Sequence, residues 1–476
     1  MKKLIFSLIV LVAIGLWSFN IGYKMEGFQI EKGFQLDLIA EEPLVLDPVD
    51  IEFNERGDAL VLEMPGYPFE DANSHLKVLF DTNHDGKMDA SQVIHSNLGL
   101  ASSFLPVDKG ILVASPPYLL FLQDVNADYA IEKVDTLMGG FAKDNLQHNF
   151  NGLSYGMDGW IYAANGGNDG SPFWWGKPDT KIVLKGQDFR FHLTEKRLEK
   201  IGESSGGFGL AQDEYNRLYE THNLTHVSHL VFPQRYIKDN ALLVDNTLDN
   251  ISDHEENGLA RIYPIGEQED RVNHSEQAGY FSGSCGISYY GGGAFGKEYE
   301  QTVWVADVVL NLIHVDKLSQ DGSSMKAHRL LPKRDFLASS DRSFRPVNMS
   351  VAPDGSMWVA DMYRKVIEHP EWIPDEIEKT LDLNAGKNQG RIYRISKQGA
   401  HHPFDYSQFK STSTTIQALK SPNQWVRLTA LRLLRGGDLS NVELQALGNH
   451  LKSDQLNALL PAAWLLFERD RLTSDQ

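Results

Sequence analysis

A short apolar strand that follows a tight turn recurs along this chain. In the clearest copy, the turn Asp158-Gly159 precedes an aromatic and branched run over 160–164, which ends on the polar residue Asn165. Glycine tolerates the backbone angles of a hairpin turn, and aromatic or branched residues favour an extended strand. The pattern therefore predicts a β-hairpin whose second strand ends on a polar side chain.

The same unit occurs six times. The polar residues that end its six copies are Glu63, Ser115, Asn165, His222, Asp307 and Asp361. They lie about 50 to 57 residues apart, except for one gap of about 85 that contains a polar segment over 224–280, and this period is typical of a four-stranded propeller blade. We therefore predict an all-β fold, a six-bladed β-propeller over residues 28–397. A β-sandwich with similar turns is the alternative.

Equivalent positions of a closed propeller form a circle around its central channel. The six polar residues are thus expected to ring one mouth of that channel, where acidic members could hold a metal ion. The alternative is that each side chain only caps its own hairpin.

From Thr414 the apolar spacing changes to that of a helix. Gly436-Gly437 interrupts it, and a second pair of helical segments follows at 442–451 and 456–467. These segments predict a short α-solenoid of HEAT-like repeats over 412–476. Such arrays need about three repeats to bury a continuous core. We therefore expect either a longer protein or a tail that packs on the propeller.

Charge and cysteine content exclude some functions. The formal net charge is -19, so an acidic surface makes nucleic acid an unfavourable partner. The single cysteine, Cys285, excludes an internal disulfide and a covalent haem site of the Cys-x-x-Cys-His kind within this chain.

The N-terminus indicates export. Lys2 and Lys3 precede an apolar run over 4–17, which is short for a membrane span and suits the core of a secretory signal. Residues 1–22 are therefore predicted to be a signal peptide or a membrane anchor. The protein is expected in the periplasm, or anchored to the membrane and facing the periplasm.

One loop has the residues of a calcium site. Carboxylate and amide oxygens alternate at Asp81, Asn83 and Asp85, Gly86 follows, and Asp89 closes the loop. This spacing suits a loop wrapped around calcium. An acidic turn without an ion is the alternative, and the loop 124–128 is a weaker copy.

Two residues are candidates for chemistry at the channel. His148 lies just before a blade strand, where a neutral imidazole could take a proton from an alcohol. Arg345 precedes the turn of another blade, and its guanidinium would suit a carboxylate-bearing ligand. His222, His226 and His229 have the spacing of metal ligands on a helix, but they fall in a predicted strand, where they do not share one face.

Three stretches carry a resemblance to a known family. They are RPVNMSVAPDGSMWVADMYR from Arg345, IEHPEWIPDEIEKTLDLNAGKNQGRIYRI over 367–395 and the helical QWVRLTALRLL. The propeller resembles the soluble quinoprotein dehydrogenases of glucose and sorbosone. It is more similar to membrane-bound dehydrogenase proteins of Bacteroidetes and planctomycete-type bacteria, in which HEAT-like helices and often a cytochrome c module follow. The resemblance covers about residues 28–470.

The resemblance implies site residues. In the quinoprotein propellers, a histidine eight residues ahead of a Pro-Asp-Gly turn is the catalytic base. Here His148 stands at that distance from Met157-Asp158-Gly159, with methionine in place of proline. Arg345, Arg342 and Asn149 are the implied contacts to pyrroloquinoline quinone. An Arg-Asn pair that holds this cofactor in the family is replaced here by Ser205-Gly206.

The resemblance implies an exported dehydrogenase that oxidises a sugar or related alcohol and passes electrons to a cytochrome c domain or protein. A non-catalytic carbohydrate-binding or scaffold propeller is the first alternative. A calcium-dependent sugar lactonase, with a metal held by Asn165, Asp307 and Asp361, is the second. A channel lined by His148 and Arg345 would favour the dehydrogenase, whereas apolar or blocked channel walls would favour binding alone.

Overall fold

The computed structural model describes residues 25–68, 73–143, 146–236, 247–267, 271, 274–400 and 404–472, so the predicted signal or anchor over 1–22 lies outside the described residues. Within those ranges, the strands form six antiparallel sheets. The six-bladed propeller is confirmed. Each of the six predicted strands is the second strand of its blade: β4 (Ala59–Glu63), β8 (Gly110–Ser115), β12 (Ile161–Ala164), β17 (Leu218–His222), β21 (Thr302–Asp307) and β26 (Met357–Asp361).

The first three blades follow one another along the chain, except that β13 (Gly170–Trp174) of blade 2 comes after β12 of blade 3. Blade 1 also contains β3 (Pro48–Phe53), β5 (His75–Phe80) and β6 (Ala90–His95). Blade 2 also contains β7 (Ser103–Val107), β9 (Tyr118–Gln123), β10 (Lys133–Phe141) and, paired with β10, β13 (Gly170–Trp174). Blade 3 also contains β11 (Asn151–Tyr155), β14 (Gln187–His192) and β15 (Arg197–Glu203).

Of the last three blades, blades 5 and 6 each include a strand from the N-terminal end of the propeller. Blade 4 also contains β16 (Leu210–Gln212), β18 (Thr225–Leu230) and β19 (Leu248–Asn250). Blade 5 also contains β20 (Ser284–Tyr289), β22 (Leu312–Asp321), β23 (Ser324–Arg329), β24 (Leu337–Ser339) and, paired with β24, β1 (Phe28–Ile30). Blade 6 also contains β25 (Pro346–Val351), β27 (Arg391–Lys397) and β2 (Phe34–Glu41).

The N-terminal strand β2 closes the ring. It pairs antiparallel with β27, from Phe34 opposite Lys397 to Glu41 opposite Arg391. The first strand of each blade lies beside that of the next, and β25 returns beside β3. Closure covers strand edges that would otherwise be open to pairing with another chain.

Two glycines show how closely the inner strands approach one another. A Cβ atom on Gly209 would lie 2.8 Å from the backbone nitrogen of Ile287, and one on Gly286 would lie 2.5 Å from the carbonyl oxygen of Val347. Both glycines have positive φ angles. A larger residue at either position would push adjacent blades apart, so these glycines keep the channel narrow between its two ends.

Among the described residues, one short helix lies within the last blade, and four helices follow the propeller. They are α1 (Asp375–Glu378) inside the last blade's long connection, then α2 (Thr412–Ala418), α3 (Gln424–Gly436), α4 (Asn441–His450) and α5 (Leu456–Glu468). Side chains of Ser411, Asn423 and Ser440 cap the first amides of α2, α3 and α4, which explains where these helices begin. The predicted helical segments are present, and their assignment as HEAT-like repeats stays a prediction.

Helix α3 lies across one end of the channel. Asn423 at its start donates hydrogen bonds to the carbonyl oxygens of Ala352 and Pro353, and Arg427 forms an ion pair with Glu214 at 2.7 Å. A far cavity of about 210 Å³ lies between α3 and the inner strands. The tail therefore packs on the propeller and closes this end of its channel.

None of the described helices is both long and apolar enough to cross a membrane.

Candidate functional site

The other end of the channel opens into a mouth cavity of about 130 Å³. It is lined near the starts of the inner strands, and most of its wall is apolar: Val49, Met64, Phe208, Val308, Val309, Val347, Met362 and Ile367. Its polar side chains include His148, Gln147, Arg271 and Glu368. Phe208 lines both the mouth cavity and the far cavity, so it lies between the two spaces.

His148 ends a short 3₁₀ turn just before β11. A Cβ on Gly166 would lie 1.8 Å from the carbonyl oxygen of His148, so only glycine lets the neighbouring loop support this turn. Burial, with smaller contributions from His222 and Arg271, lowers the pKa of His148 to about 4. The imidazole is therefore neutral at pH 7. No side-chain hydrogen bond of His148 occurs among the described residues, so its ring nitrogens are open to a ligand.

An ion pair forms the opposite polar wall. Arg271 donates from Nε and Nη2 to one carboxylate oxygen of Glu368, and from Nη1 to the carbonyl oxygen of Ser282 at 3.0 Å. Glu368 belongs to the family-like segment 367–395, for which the sequence offered no chemistry. Glu368 neutralises the positive charge of Arg271, so the pair presents no free cation to the cavity.

Tyr67 and Gln147 hold the rim. The Tyr67 hydroxyl donates to the carbonyl oxygen of Ile367 at 2.7 Å and accepts from Gln147 Nε2 at 2.8 Å. Burial raises the pKa of Tyr67 above its usual range. This hydroxyl therefore stays protonated and links the segment before β11 to the segment after β26.

The six polar strand ends do lie at equivalent positions on the mouth side. However, none of them lines the mouth cavity. Asp307 accepts the backbone amides of Ser282, Gly283, Val309 and Leu310, and Asp361 accepts those of Arg345 and Tyr363. These contacts match the alternative in which each residue caps its own hairpin.

Three other members have similar local roles. Glu63 accepts from the Leu46 amide and pairs with His75 and Lys77. Ser115 and Asn165 donate to the carbonyl oxygens of Leu98 and Asn168. The described acidic residues at the mouth therefore provide no multi-blade metal site of the kind that a lactonase needs.

His222 differs from the other five, because its ring contacts His148, the candidate base. Its ring centroid lies 6.2 Å from that of His148, edge to face. Burial lowers the pKa of His222. Two neutral imidazoles thus stand side by side at the mouth.

Arg345 does not reach the mouth cavity, contrary to the expectation from sequence. It is only 2% exposed. Its guanidinium donates to the carbonyl oxygens of Val308, Val309, Arg364 and Lys365. Backbone carbonyl oxygens already accept from its donors, and the role of Arg345 as a cofactor contact stays a prediction.

The two other implied cofactor contacts also lie outside the cavity lining. Arg342 is exposed. Asn149 is buried, and neither polar atom of its side-chain amide has a hydrogen-bond partner among the described residues. His148 is thus the only one of the four predicted catalytic and cofactor residues that faces the mouth cavity within the described part of the chain.

Cys285 also lines the mouth cavity. Burial raises the pKa of its thiol above the usual range. A protonated thiol is a weak nucleophile, so the cysteine serves as a small apolar wall residue.

The residues at the mouth do not fit pyrroloquinoline quinone. This cofactor carries three carboxylates, whereas Arg345 is bound to carbonyl oxygens and Arg271 is bound to Glu368. The cavity of about 130 Å³ is also below the range of roughly 300–1,000 Å³ usual for cofactor pockets.

The predicted calcium loop forms a compact turn. Asp81 accepts the amides of Asp85 and Gly86 at 3.1 and 2.8 Å, and Asp89 accepts from the amide and hydroxyl of Thr82. The loop at Asp124 has the same pattern. Calcium in these loops, with Asn83 as a further ligand, stays a prediction.

Sequence reasoning missed Arg271, Glu368 and Tyr67. Each reaches the mouth from a connection between strands, where no period marks its position. It also missed His314 and Asp316, which join His226 in a buried cluster. The sequence did carry a signal for this cluster. His314 and Asp316 are two residues apart, so a strand places both side chains on one face.

The chain is similar to the holo form of the PQQ domain of pyranose dehydrogenase from Coprinopsis cinerea, with 12% identity, 78% of this chain and 97% of that chain covered, and a TM-score of 0.44. It is similar to the apo form of the soluble aldose sugar dehydrogenase from Escherichia coli, with 13% identity, 77% and 100% coverage, and a TM-score of 0.42. It is also similar to the PQQ-bound aldose sugar dehydrogenase from Streptomyces coelicolor, with 12% identity, 77% and 100% coverage, and a TM-score of 0.35.

Comparison with curated proteins gives no match. A family model described as a domain of unknown function, DUF7133, matches residues 22–399. Because this match spans the whole propeller, the chain belongs to the DUF7133 family.

Proposed function

We propose that the mouth cavity binds a small neutral hydroxylated ligand, a sugar or related alcohol, with His148 as the hydrogen-bond acceptor. The observation that carries this proposal is the neutral imidazole of His148, which faces a mainly apolar cavity without a protein partner among the described residues. A buried acceptor of this kind gains most from a ligand hydroxyl, because an unmet polar group is costly away from water.

The other walls support a neutral ligand. Arg271 is paired with Glu368, so a ligand carboxylate would have to compete with an internal one. Val308 and Val347 offer apolar surface to the C–H face of a sugar ring. The small cavity volume suits one ring or a short polyol.

Oxidation of the same ligand is the second candidate function. A neutral His148 could take the hydroxyl proton of an alcohol, which is the role that the resemblance to quinoprotein dehydrogenases implies. Oxidation also transfers a hydride from the alcohol carbon to an acceptor such as a quinone, and a cytochrome c would carry the electrons onward. The engaged donors of Arg345 favour binding alone, so we place binding first.

Calorimetric titration of the purified protein with single sugars and polyols tests the binding function. Saturable binding by the wild type is expected to weaken at least tenfold in His148→Ala. The matched control is His328→Ala, which removes an exposed imidazole on β23 and is expected to bind normally. Equal affinity in wild type and His148→Ala would contradict the proposal.

A second titration separates the two candidates. Pyrroloquinoline quinone is added with calcium present, and sugar oxidation is followed with an artificial electron acceptor. The binding function predicts no saturable quinone binding and no turnover. Quinone binding together with turnover that His148→Ala abolishes would place the dehydrogenase first.

We also propose that the protein is exported and acts in the periplasm or on its membrane face. Support comes from Lys2 and Lys3 ahead of the apolar run 4–17. A fusion of residues 1–30 to a reporter enzyme that is active only after export should show activity, and replacing Leu11 with Arg should abolish it. An inactive fusion that is well expressed would contradict export.

A further inference from the structure

A buried cluster between blades 4 and 5 contains His226, His314 and Asp316. His226 comes from β18, and the other two residues come from β22. All three are at most 2% exposed. Their candidate ligand atoms lie within 4.8 Å of one another. None of them lines the mouth cavity or the far cavity, so the cluster is separate from the proposed ligand site.

Asp316 is the centre of the cluster. Its two carboxylate oxygens face different imidazoles, with His226 Nε2 2.8 Å from Oδ2 and His314 Nε2 2.7 Å from Oδ1. Two imidazole nitrogens and a carboxylate are ligand types that zinc and related divalent metals prefer.

The surroundings hold these groups in place. His314 Nδ1 lies 2.7 Å from Asp335 Oδ1. Asp335 is fixed in turn by Arg329 at 2.8 Å and by the amide of Tyr263 at 2.6 Å. A carboxylate on the far nitrogen of a histidine is the usual second contact of a metal-bound imidazole, since it orients the ring.

Phe281 packs against both imidazoles. Its ring stacks on His226 with centroids 4.4 Å apart, and it meets His314 edge to face at 5.4 Å. It therefore excludes water and limits ring rotation, which leaves Nε2 of each histidine directed at Asp316.

A neutral His314 needs one more cation, a proton or a metal ion, to satisfy the carboxylates at its two ring nitrogens. With neutral imidazoles, Asp316 and Asp335 contribute two negative charges and Arg329 one positive charge. Both nitrogens of His314 face carboxylates, yet a neutral imidazole has only one proton to donate. Either a proton on His314 or a metal ion beside its Nε2 supplies the missing charge.

We propose that this cation is a divalent transition metal of the zinc class, bound by His226 Nε2, His314 Nε2 and Asp316. In this arrangement His314 keeps its Nδ1 proton for Asp335. The metal is a structural cross-link, because its ligands join β18 of blade 4 to β22 of blade 5 and lie away from both cavities. It also secures the long insertion, since Tyr263 in that segment holds Asp335.

Cobalt reconstitution of the full-length protein tests the site. Metal is removed with a chelator, and Co²⁺ is added with excess Ca²⁺ present to occupy the acidic loops. The wild type is expected to take up one equivalent of Co²⁺ with visible absorption, which Zn²⁺ then abolishes. His226→Gln and Asp316→Asn are expected to lose both uptake and absorption. His254→Gln is the matched control, since its ring lies 6.4 Å from His226 but is no ligand, and it is expected to retain both.

If the variants fail to fold, X-ray absorption of the zinc-loaded wild type tests the metal site without them. Two imidazoles and carboxylate oxygen at about 2.0–2.2 Å from zinc are the expected result. A folded wild type that takes up no Co²⁺ or Zn²⁺ would overturn the proposal and assign the charge to a proton on His314. Cobalt absorption that persists in folded Asp316→Asn would also overturn it.

Discussion

The Nε of Arg345 donates a hydrogen bond to the carbonyl oxygen of Arg364, 2.7 Å away. The rest of the guanidinium binds three further carbonyl oxygens, at Val308, Val309 and Lys365. Arg345 therefore joins the connection after β21 to the connection after β26, and both connections help to form the mouth. Burial lowers the pKa of Arg345 to about 10, so the side chain still carries its charge at neutral pH.

Arg345→Lys is expected to destabilise the protein by about 2–3 kcal/mol, because lysine has fewer donors and lacks the planar fork that satisfies four buried carbonyls. Urea unfolding measures the loss. Arg197→Lys is the control, at an ion-paired side chain that is 54% exposed, and a change within about 0.5 kcal/mol is expected there. An equally small change for Arg345→Lys would mean that the guanidinium is not a structural brace.

The pH dependence of stability should report the burial of His148. Its pKa falls from an ordinary value of 6.5 to about 4 on folding, so the unfolded chain binds the proton more tightly between these pH values. The free energy of unfolding therefore decreases as the pH falls from 6.5 to 4.

His148→Gln removes this one titration, and its stability should fall less than that of the wild type over the same window, by roughly 2 kcal/mol. Urea unfolding at several pH values measures the difference, and subtraction cancels other histidines with lowered pKa values, such as His229 and His450. Parallel curves for wild type and variant would show that the imidazole of His148 is solvated.

The propeller could be predicted from sequence because each blade repeats a local signal, a turn followed by an apolar strand. Closure of the ring by β2 could not be predicted from the sequence. The pairing of Phe34 with Lys397 joins segments more than 300 residues apart, and it can form only when the other blades are in place. The equivalence of Asp307 and Asp361 was also predictable from their repeat position. Whether their side chains face the channel was not predictable, because this depends on backbone amides of neighbouring loops that come close only in the folded protein.

The candidate site shows the same limit. His148 was identified because it precedes a repeated strand at a family-like spacing. Arg271 and Glu368 lie on connections without periodicity and meet 97 residues apart. Long-range ion pairs of this kind leave no trace in a single sequence, which is why the predicted cation at the mouth was Arg345 instead of Arg271.

Calcium is expected to stabilise the loop at Asp81. Added Ca²⁺ should raise the thermal unfolding midpoint of chelator-treated protein, because the ion would bring together carboxylates that otherwise accept only amide and hydroxyl hydrogen bonds. Asp81→Asn should remove most of this response, whereas Asp179→Asn, on a short turn outside both acidic loops, should keep it. An unchanged midpoint in the wild type would mean an acidic turn without an ion.

The last prediction concerns the contact between helix α3 and the propeller. Trp425 on α3 lies edge to face with Phe53 of blade 1 and with Phe404, at centroid distances of 6.5 and 5.3 Å. Trp425→Ala should therefore loosen the closure of the far cavity as well as remove apolar contact. We expect a loss of about 3 kcal/mol in the free energy of unfolding and faster hydrogen exchange in β3.

Phe467→Ala is the matched control, because this α5 residue is 61% exposed. It should cost less than about 1 kcal/mol and leave exchange in β3 unchanged. If Trp425→Ala instead sped up exchange only within α2 to α5, the helices would form a unit whose stability is independent of the propeller, and α3 would not be part of the channel's closure.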